Sequence, residues 1–317
     1  MEYRKLISFG KSSFVVSLPK PWVDKHKLKK GDIIHFDEND NNLVLMPKQF
    51  EKKEEEKEII INVDGKPLNR IRRELIPSYI NNFKTIILIG KELKDKAKYI
   101  EPLVQNLIAL EIMEQTSNKI VAKDFLNMND ISINNLIRKM DVITRSMVED
   151  CLNMFNEDNY ENINYRDKDV NRLSYLIFRA VNYGLENQTH MVNQFKMNSR
   201  ELLNYHLLAF HIEIIADEAR RVARHMREVK LNKNQQKIFI DLLRDSKQNY
   251  LDTMKSFYTN NSNLAHSIGE RKKDIMKKCD DFHLRNCKIT KIAELVTRFK
   301  RLVVTVHKTG RLVYEWP

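Results

Sequence analysis

The stretch GKSSFVVSLPKPWV, Gly10 to Val23, with the later LKKGD, Leu28 to Asp32, determines how the start of the chain is interpreted. In the first stretch, serines stand among apolar residues. Val15 is expected to face one side of a thin sheet and Phe14 and Val16 the other, with at least one side covered. Two prolines then end the strand, and Pro21 suits the first turn of a short helix. With the turns around them, these features predict the short strands Tyr3–Phe9, Phe14–Leu18, Asp32–Asp37 and Leu43–Met46.

Residues 1–48 form the first predicted domain. A segment of this length in short strands buries little apolar area by itself. We therefore expect a second copy of the chain to complete its core, so that the protein is a homodimer.

The charge of this first domain indicates a polyanionic partner. The chain has 55 lysines and arginines against 43 acidic residues, and residues 1–35 hold eight cationic and three acidic side chains. Such an excess can neutralise nucleic-acid phosphates, and serine hydroxyls can add hydrogen bonds to phosphates or base edges. The lysines at 25–30 are equally explained as a solvated helix end. The candidate DNA contacts are Arg4, Lys5, Lys11, Ser12, Ser13, Ser17 and Lys20.

A charged run at residues 49–58 is typical of a linker, and an alternation of strands and helices follows it. Residues 59–127 are expected to form a small α/β module. Its predicted elements are the strands Ile59–Val63, Thr85–Ile89 and Lys119–Phe125 and the helices Leu68–Tyr79 and Asp95–Glu114.

From residue 128 onwards, apolar residues recur at helical spacing almost to the end of the chain. Breaks near 156–163, 196–199, 231–234, 260–263 and 282–288 divide this zone into six helices. The sequences NMFNEDN (153–159) and KSFYTNN (255–261) each close a helix, which favours two tandem three-helix bundles at 128–231 and 232–317. A single irregular bundle is the alternative.

The N-terminal pattern S-x-x-V-S-L-P-K-x-W followed by L-x-x-G-D resembles the SpoVT/AbrB-like DNA-binding domains. In that family two chains interlace their hairpins into one small barrel, and a basic face of the dimer lies on DNA. The resemblance implies the same for residues 1–48. A dimerisation module without a role in DNA binding is the alternative.

Two helices of the third zone carry polar oxygen ligands four residues apart, Asp167 with Asn171 and Glu213 with Asp217. Residues four apart share one helix face. These helices resemble the acidic helices of PhoU-type phosphate-signalling proteins, which are also tandem three-helix bundles. The resemblance implies a metal site at these four residues, and hard oxygen ligands suit Fe, Mn or Mg, and Zn less specifically.

The second half of the helical zone departs from that acidic pattern, so we expect no second metal cluster. The corresponding positions hold Lys272, Met276, Lys300 and Val304. For Glu213 and Asp217, surface ion pairs with Arg220 and Arg221 are the alternative to metal binding.

The fold class expected from these parts is multidomain α+β: a swapped-hairpin barrel, an α/β module and tandem three-helix bundles. The combination is similar to a family of archaeal phosphate uptake regulators. It implies a DNA-binding transcription regulator in phosphate homeostasis that senses metal, phosphate or a transporter partner. The alternative is an adaptor that docks on a phosphate transporter ATPase or another signalling protein, with a head that only dimerises.

Composition narrows the remaining function classes. Three cysteines in 317 residues do not make a disulfide framework, which favours a reducing cytoplasm. No signal peptide and no apolar run long enough for membrane insertion are expected. With neither a glycine-rich phosphate loop nor a Ser-His-Asp or Cys-His set, we expect no enzyme.

Overall fold

The computed structural model describes residues 3–39, 42–47 and 57–315. The chain divides into two compact units, Met1–Glu56 and Lys57–Pro317, which we call the head unit and the body unit. Most of the predicted linker at 49–58 lies outside the described residues.

The head unit contains two antiparallel hairpins and one short helix. Strand β1 (Ile7–Phe9) pairs with β2 (Ser13–Val15), and β3 (Ile34–Asn39) pairs with β4 (Asn42–Pro47). Helix α1 (Lys20–Lys25) has a proline in its first turn, as the sequence predicts. The two hairpins form separate two-stranded sheets, so the described residues of a single chain do not close the predicted barrel.

The first part of the body unit is an α/β module with a four-stranded sheet in the order β5-β6-β8-β7. Only β5 and β6 are parallel. The bounds are β5 Glu58–Asn62, α2 Leu68–Ile80, β6 Thr85–Ile89, α3 Leu93–Gln105, β7 Leu110–Gln115 and β8 Lys119–Asp124.

One predicted element of this module is wrong. The expected helix Asp95–Glu114 ends at Gln105, and strand β7 follows it. Ala109 adopts a left-handed backbone with φ of 63°, which a helix cannot contain. Strand β7 then supplies an edge to the sheet by pairing with β8.

The rest of the body unit is helical, and its long helices alternate with the predicted breaks. They are α4 Ile133–Asn153, α5 Tyr160–Glu186, α7 Ser199–Glu228, α8 Lys233–Tyr258, α9 Ser262–Asn286 and α10 Ile292–Glu315. A short helix α6 (Gln188–His190) and a π-helical turn lie between α5 and α7. Asparagine side chains accept backbone hydrogen bonds at the starts of α7, α8 and α9, which explains three of the breaks.

Packing groups these helices as two sets of three. Helices α4, α5 and α7 contact one another, as do α8, α9 and α10, and the two sets meet mainly where α7 packs on α10. One continuous apolar core runs through both sets, and a second core fills the α/β module. In the described part of the chain, no helix is both long and apolar enough to cross a lipid bilayer.

A buried ion pair fastens the α/β module to helix α5. Arg179 and Asp124 are fully buried side chains whose Nη2 and Oδ2 atoms lie 2.6 Å apart. Lys84 Nζ lies 2.9 Å from the same carboxylate oxygen, and the Arg179 guanidinium stacks 4.5 Å from the ring centroid of Tyr79. The module is therefore held against the helix that carries Asp167 and Asn171.

Candidate functional site

The predicted DNA-contacting side chains are all exposed on the head unit. Gly10, with φ of +71°, turns the chain between β1 and β2 and places Lys11 and Ser12 at the tip of this hairpin. The remaining predicted contacts lie before β1, at the start of β2, or between β2 and the first residue of α1. They are Arg4, Lys5, Ser13, Ser17 and Lys20.

Large apolar side chains are exposed in the same unit. Tyr3 is 95%, Phe9 72% and Phe14 67% exposed, and no head residue whose burial is described is buried. Exposed apolar surface of this kind marks an interaction site. Over the residues whose burial is described, one copy of the head thus shows none of the covered core that a stable domain needs.

In the body unit, the four residues predicted to bind metal lie along one cleft between α5 and α7. Arg220 occupies the space between two of the carboxylates. Its Nε lies 3.0 Å from Asp167 Oδ2, and its Nη2 lies 2.5 Å from Asp217 Oδ1. Asn171 donates to Asp167 Oδ2 over 3.3 Å, and Arg221 lies 2.7 Å from Asp217 Oδ2.

Glu213 is the carboxylate whose charge is least compensated. Burial, together with the neighbouring charges of Asp217 and Asp167, raises its pKa to about 7, although Arg221 and Arg220 oppose the change. Burial also raises the pKa of Asp167 above its usual range despite the Arg220 contact. Glu213 therefore titrates close to neutral pH.

This arrangement does not fit a metal cluster as it stands. A guanidinium already neutralises Asp167 and Asp217, and among the described residues no group of three or more His, Cys, Asp or Glu side chains is placed to hold a metal ion. For Asp217, the ion pairs with Arg220 and Arg221 are the alternative that the sequence left open, whereas Glu213 forms no ion pair among the described residues. Metal binding at these helices stays a prediction.

The cleft has a second wall that the sequence did not indicate. The cleft lies between α2 and α3 on one side and α5 and α7 on the other, and its volume is about 510 Å³. Three cationic side chains line the cleft beside the acidic cluster: Arg72 from α2, and Lys168 and Arg172 from α5. The four-residue spacing of Lys168 and Arg172 could have marked a cationic face of α5, but nothing local to Arg72 places it there.

Comparisons with known proteins match two separate parts of the chain. Residues 7–53 match the family described as antidote-toxin recognition MazE, bacterial antitoxin, and residues 137–226 match the PhoU domain. The second match includes the acidic cluster and ends before α8. No curated protein matches the chain.

A crystal structure of PhoU from Pseudomonas aeruginosa is similar to part of the chain. It has 13% sequence identity and a TM-score of 0.42, and the match covers 57% of this chain and 93% of that one. A likeness of this size carries no argument about function. The chain is therefore similar to MazE antitoxins over part of the head unit and to the PhoU domain over part of the body unit.

Proposed function

We propose that the protein is a homodimeric DNA-binding regulator of phosphate homeostasis. The head binds duplex DNA, and the body changes how the two heads are presented in response to metal, phosphate or a protein partner such as a transporter ATPase. The match at residues 7–53 supports DNA binding, and the PhoU match supports the link to phosphate. The transcriptional role itself is our inference.

One observation carries the proposal: the exposed cationic hairpin of the head. Arg4, Lys5 and Lys11 lie before β1 and at the β1–β2 tip, and all three side chains are exposed. Cations in this position neutralise phosphates and release counterions, which gives sequence-independent affinity. Serines beside them supply hydrogen bonds that fix the register on the duplex.

The exposed apolar residues support a dimer. Burying a large apolar side chain contributes about 1.5–3 kcal/mol, so a partner that covers Phe9 and Phe14 stabilises the head substantially. A second copy presents the same surface and doubles the cationic face. We expect Phe9→Ser/Phe14→Ser to weaken dimerisation in analytical ultracentrifugation, whereas Phe125→Ser, at a body residue 57% exposed, leaves it unchanged.

The test of DNA binding is the triple variant Arg4→Ala/Lys5→Ala/Lys11→Ala, titrated with duplex DNA across a salt series. Each lost phosphate contact lowers the salt slope by about 0.9, so the variant binds more weakly and with a shallower slope. The control removes three exposed lysines from α8, as Lys233→Ala/Lys237→Ala/Lys255→Ala, with the same change in net charge. If the head variant keeps the affinity and slope of the wild type, these residues do not contact DNA, and the adaptor alternative is favoured.

A further inference from the structure

The cleft of the body unit has an excess of positive charge once its internal pairs are counted. Arg220 and Arg221 are engaged by Asp167 and Asp217. Three further cations line the cleft: Arg72, Lys168 and Arg172. Among the residues that line it, Glu213 is the one remaining carboxylate. The cleft is therefore suited to an anion.

Arg172 is the least satisfied of these cations. Its nearest carboxylate is Asp169, at a long 3.8 Å, and its Nε is buried without a hydrogen-bond partner among the described residues. A buried donor without a partner is unfavourable unless a ligand supplies an acceptor. Among the described residues, Arg72 and Lys168 form no ion pair either, although both line the same cavity.

Beyond Arg72 and Asn106, the α2–α3 wall of the cleft is apolar. Its apolar side chains are Ile76 from α2, Leu103 from α3 and Leu107 just after α3, and Tyr175 of α5 adds an aromatic ring. Leu107 is only 2% exposed, and the others are partly buried. A free phosphate ion would leave this wall unused.

We propose that the cleft binds a small phosphorylated molecule that also carries a ring system, of the nucleotide class. Guanidinium groups recognise phosphate through paired hydrogen bonds, and the apolar wall with Tyr175 accepts the ring. The volume of about 510 Å³ falls within the range of small-molecule sites. This inference extends the proposed function by naming an effector class, yet it depends only on the body unit and needs no DNA.

The test is calorimetric titration of the full-length protein with ATP, ADP and AMP, and with inorganic phosphate and adenosine as the two halves of the ligand. We expect the nucleotides to bind more tightly than either half. Replacing Arg72 or Arg172 by glutamine should weaken nucleotide binding about tenfold, since a charged hydrogen bond is lost. Arg73 is the matched control, because it is exposed on the same helix but lies outside the cleft lining.

Two results would overturn the proposal. The first is the absence of nucleotide binding at millimolar concentration, and the second is binding that Arg72→Gln and Arg172→Gln leave unchanged while circular dichroism shows both variants folded. If inorganic phosphate binds as tightly as ATP, the role of the apolar wall is refuted. DNA binding is measured separately with the head variants, so failure of one proposal is distinguishable from failure of the other.

Discussion

The raised pKa of Glu213 predicts that this residue makes the protein less stable as the pH rises. Its pKa is about 7 in the folded protein, and its ordinary value is 4.5. The folded state therefore holds the proton more tightly than the unfolded state. The contribution of Glu213 to the free energy of unfolding is highest below about pH 4.5, falls as the pH rises towards 7, and levels off above that.

The size of the effect follows from the difference between the two pKa values. At about 1.4 kcal/mol for each pKa unit, a rise from 4.5 to about 7 corresponds to at most about 3 kcal/mol. The side chain is only partly buried, and solvent screens its interactions with the nearby charges, so we expect about 1–2 kcal/mol. Asp167, Asp217, Arg220 and Arg221 face Glu213 and are left unchanged by its replacement.

The perturbation that tests this is Glu213→Gln, which keeps the shape of the neutral side chain. At about pH 8 the variant should be more stable than the wild type by about 1–2 kcal/mol in urea unfolding. At about pH 4 the two proteins should be equally stable, because Glu213 is then protonated in both folded and unfolded wild type.

An exposed glutamate provides the control. Glu111→Gln on β7 should change stability by less than about 0.5 kcal/mol at either pH. If Glu213→Gln shifts stability equally at both pH values, Glu213 is ionised in the folded protein with an ordinary pKa, and the electrostatic account of the cluster is wrong.

Two further predictions concern the buried and half-buried arginines. Arg179→Met leaves Lys84 as the one cation paired with Asp124 in the described structure and should lower the free energy of unfolding by about 3 kcal/mol in urea titration. We expect partial recovery in Arg179→Met/Asp124→Leu, and no loss in Arg179→Met would show that the pair does not hold the module. Arg220→Ala frees Asp167 and leaves Asp217 paired with Arg221 only, so the variant should bind Mn²⁺ more tightly than the wild type in titrations followed by electron paramagnetic resonance. Equal binding by the wild type would show that Arg220 does not block the predicted metal site.

The helical half of the fold could be predicted from sequence because its signals are local. Apolar periodicity gives the helix faces, and Asn198, Asn232 and Asn261 mark three helix starts through their own side-chain hydrogen bonds. Strand β7 was missed because its existence depends on pairing with β8. The preceding residues also carry an apolar pattern that fits a helix until Ala109 turns the chain.

The site was only partly predictable for a similar reason. Four-residue spacing brought Asp167, Asn171, Glu213 and Asp217 to one cleft, as expected for residues on facing helices. Spacing along α7 also indicated the pairing of Asp217 with Arg220 and Arg221. It does not indicate that Arg220 also reaches Asp167, because that residue lies on another helix. Arg72 reaches the cleft only because the α/β module packs on α5, a contact between residues far apart in the sequence.

Helix α5 connects the cleft to the buried ion pair. It carries Asp167 and Arg172 in the cleft and, further along, Arg179 in the buried pair with Asp124. The ion pair helps to hold the two walls of the cleft together, along with the packing of α2 on α5 and the hydrogen bonds of Asn182 to Ile80 and Asn81. A ligand held by both walls adds to the same contact and stabilises the closed arrangement, by about 2.7 kcal/mol at one hundred times its dissociation constant. We therefore expect ligand binding in the cleft to make the contact between the α/β module and the helical bundle more rigid, because the ligand and the ion pair both act across that interface.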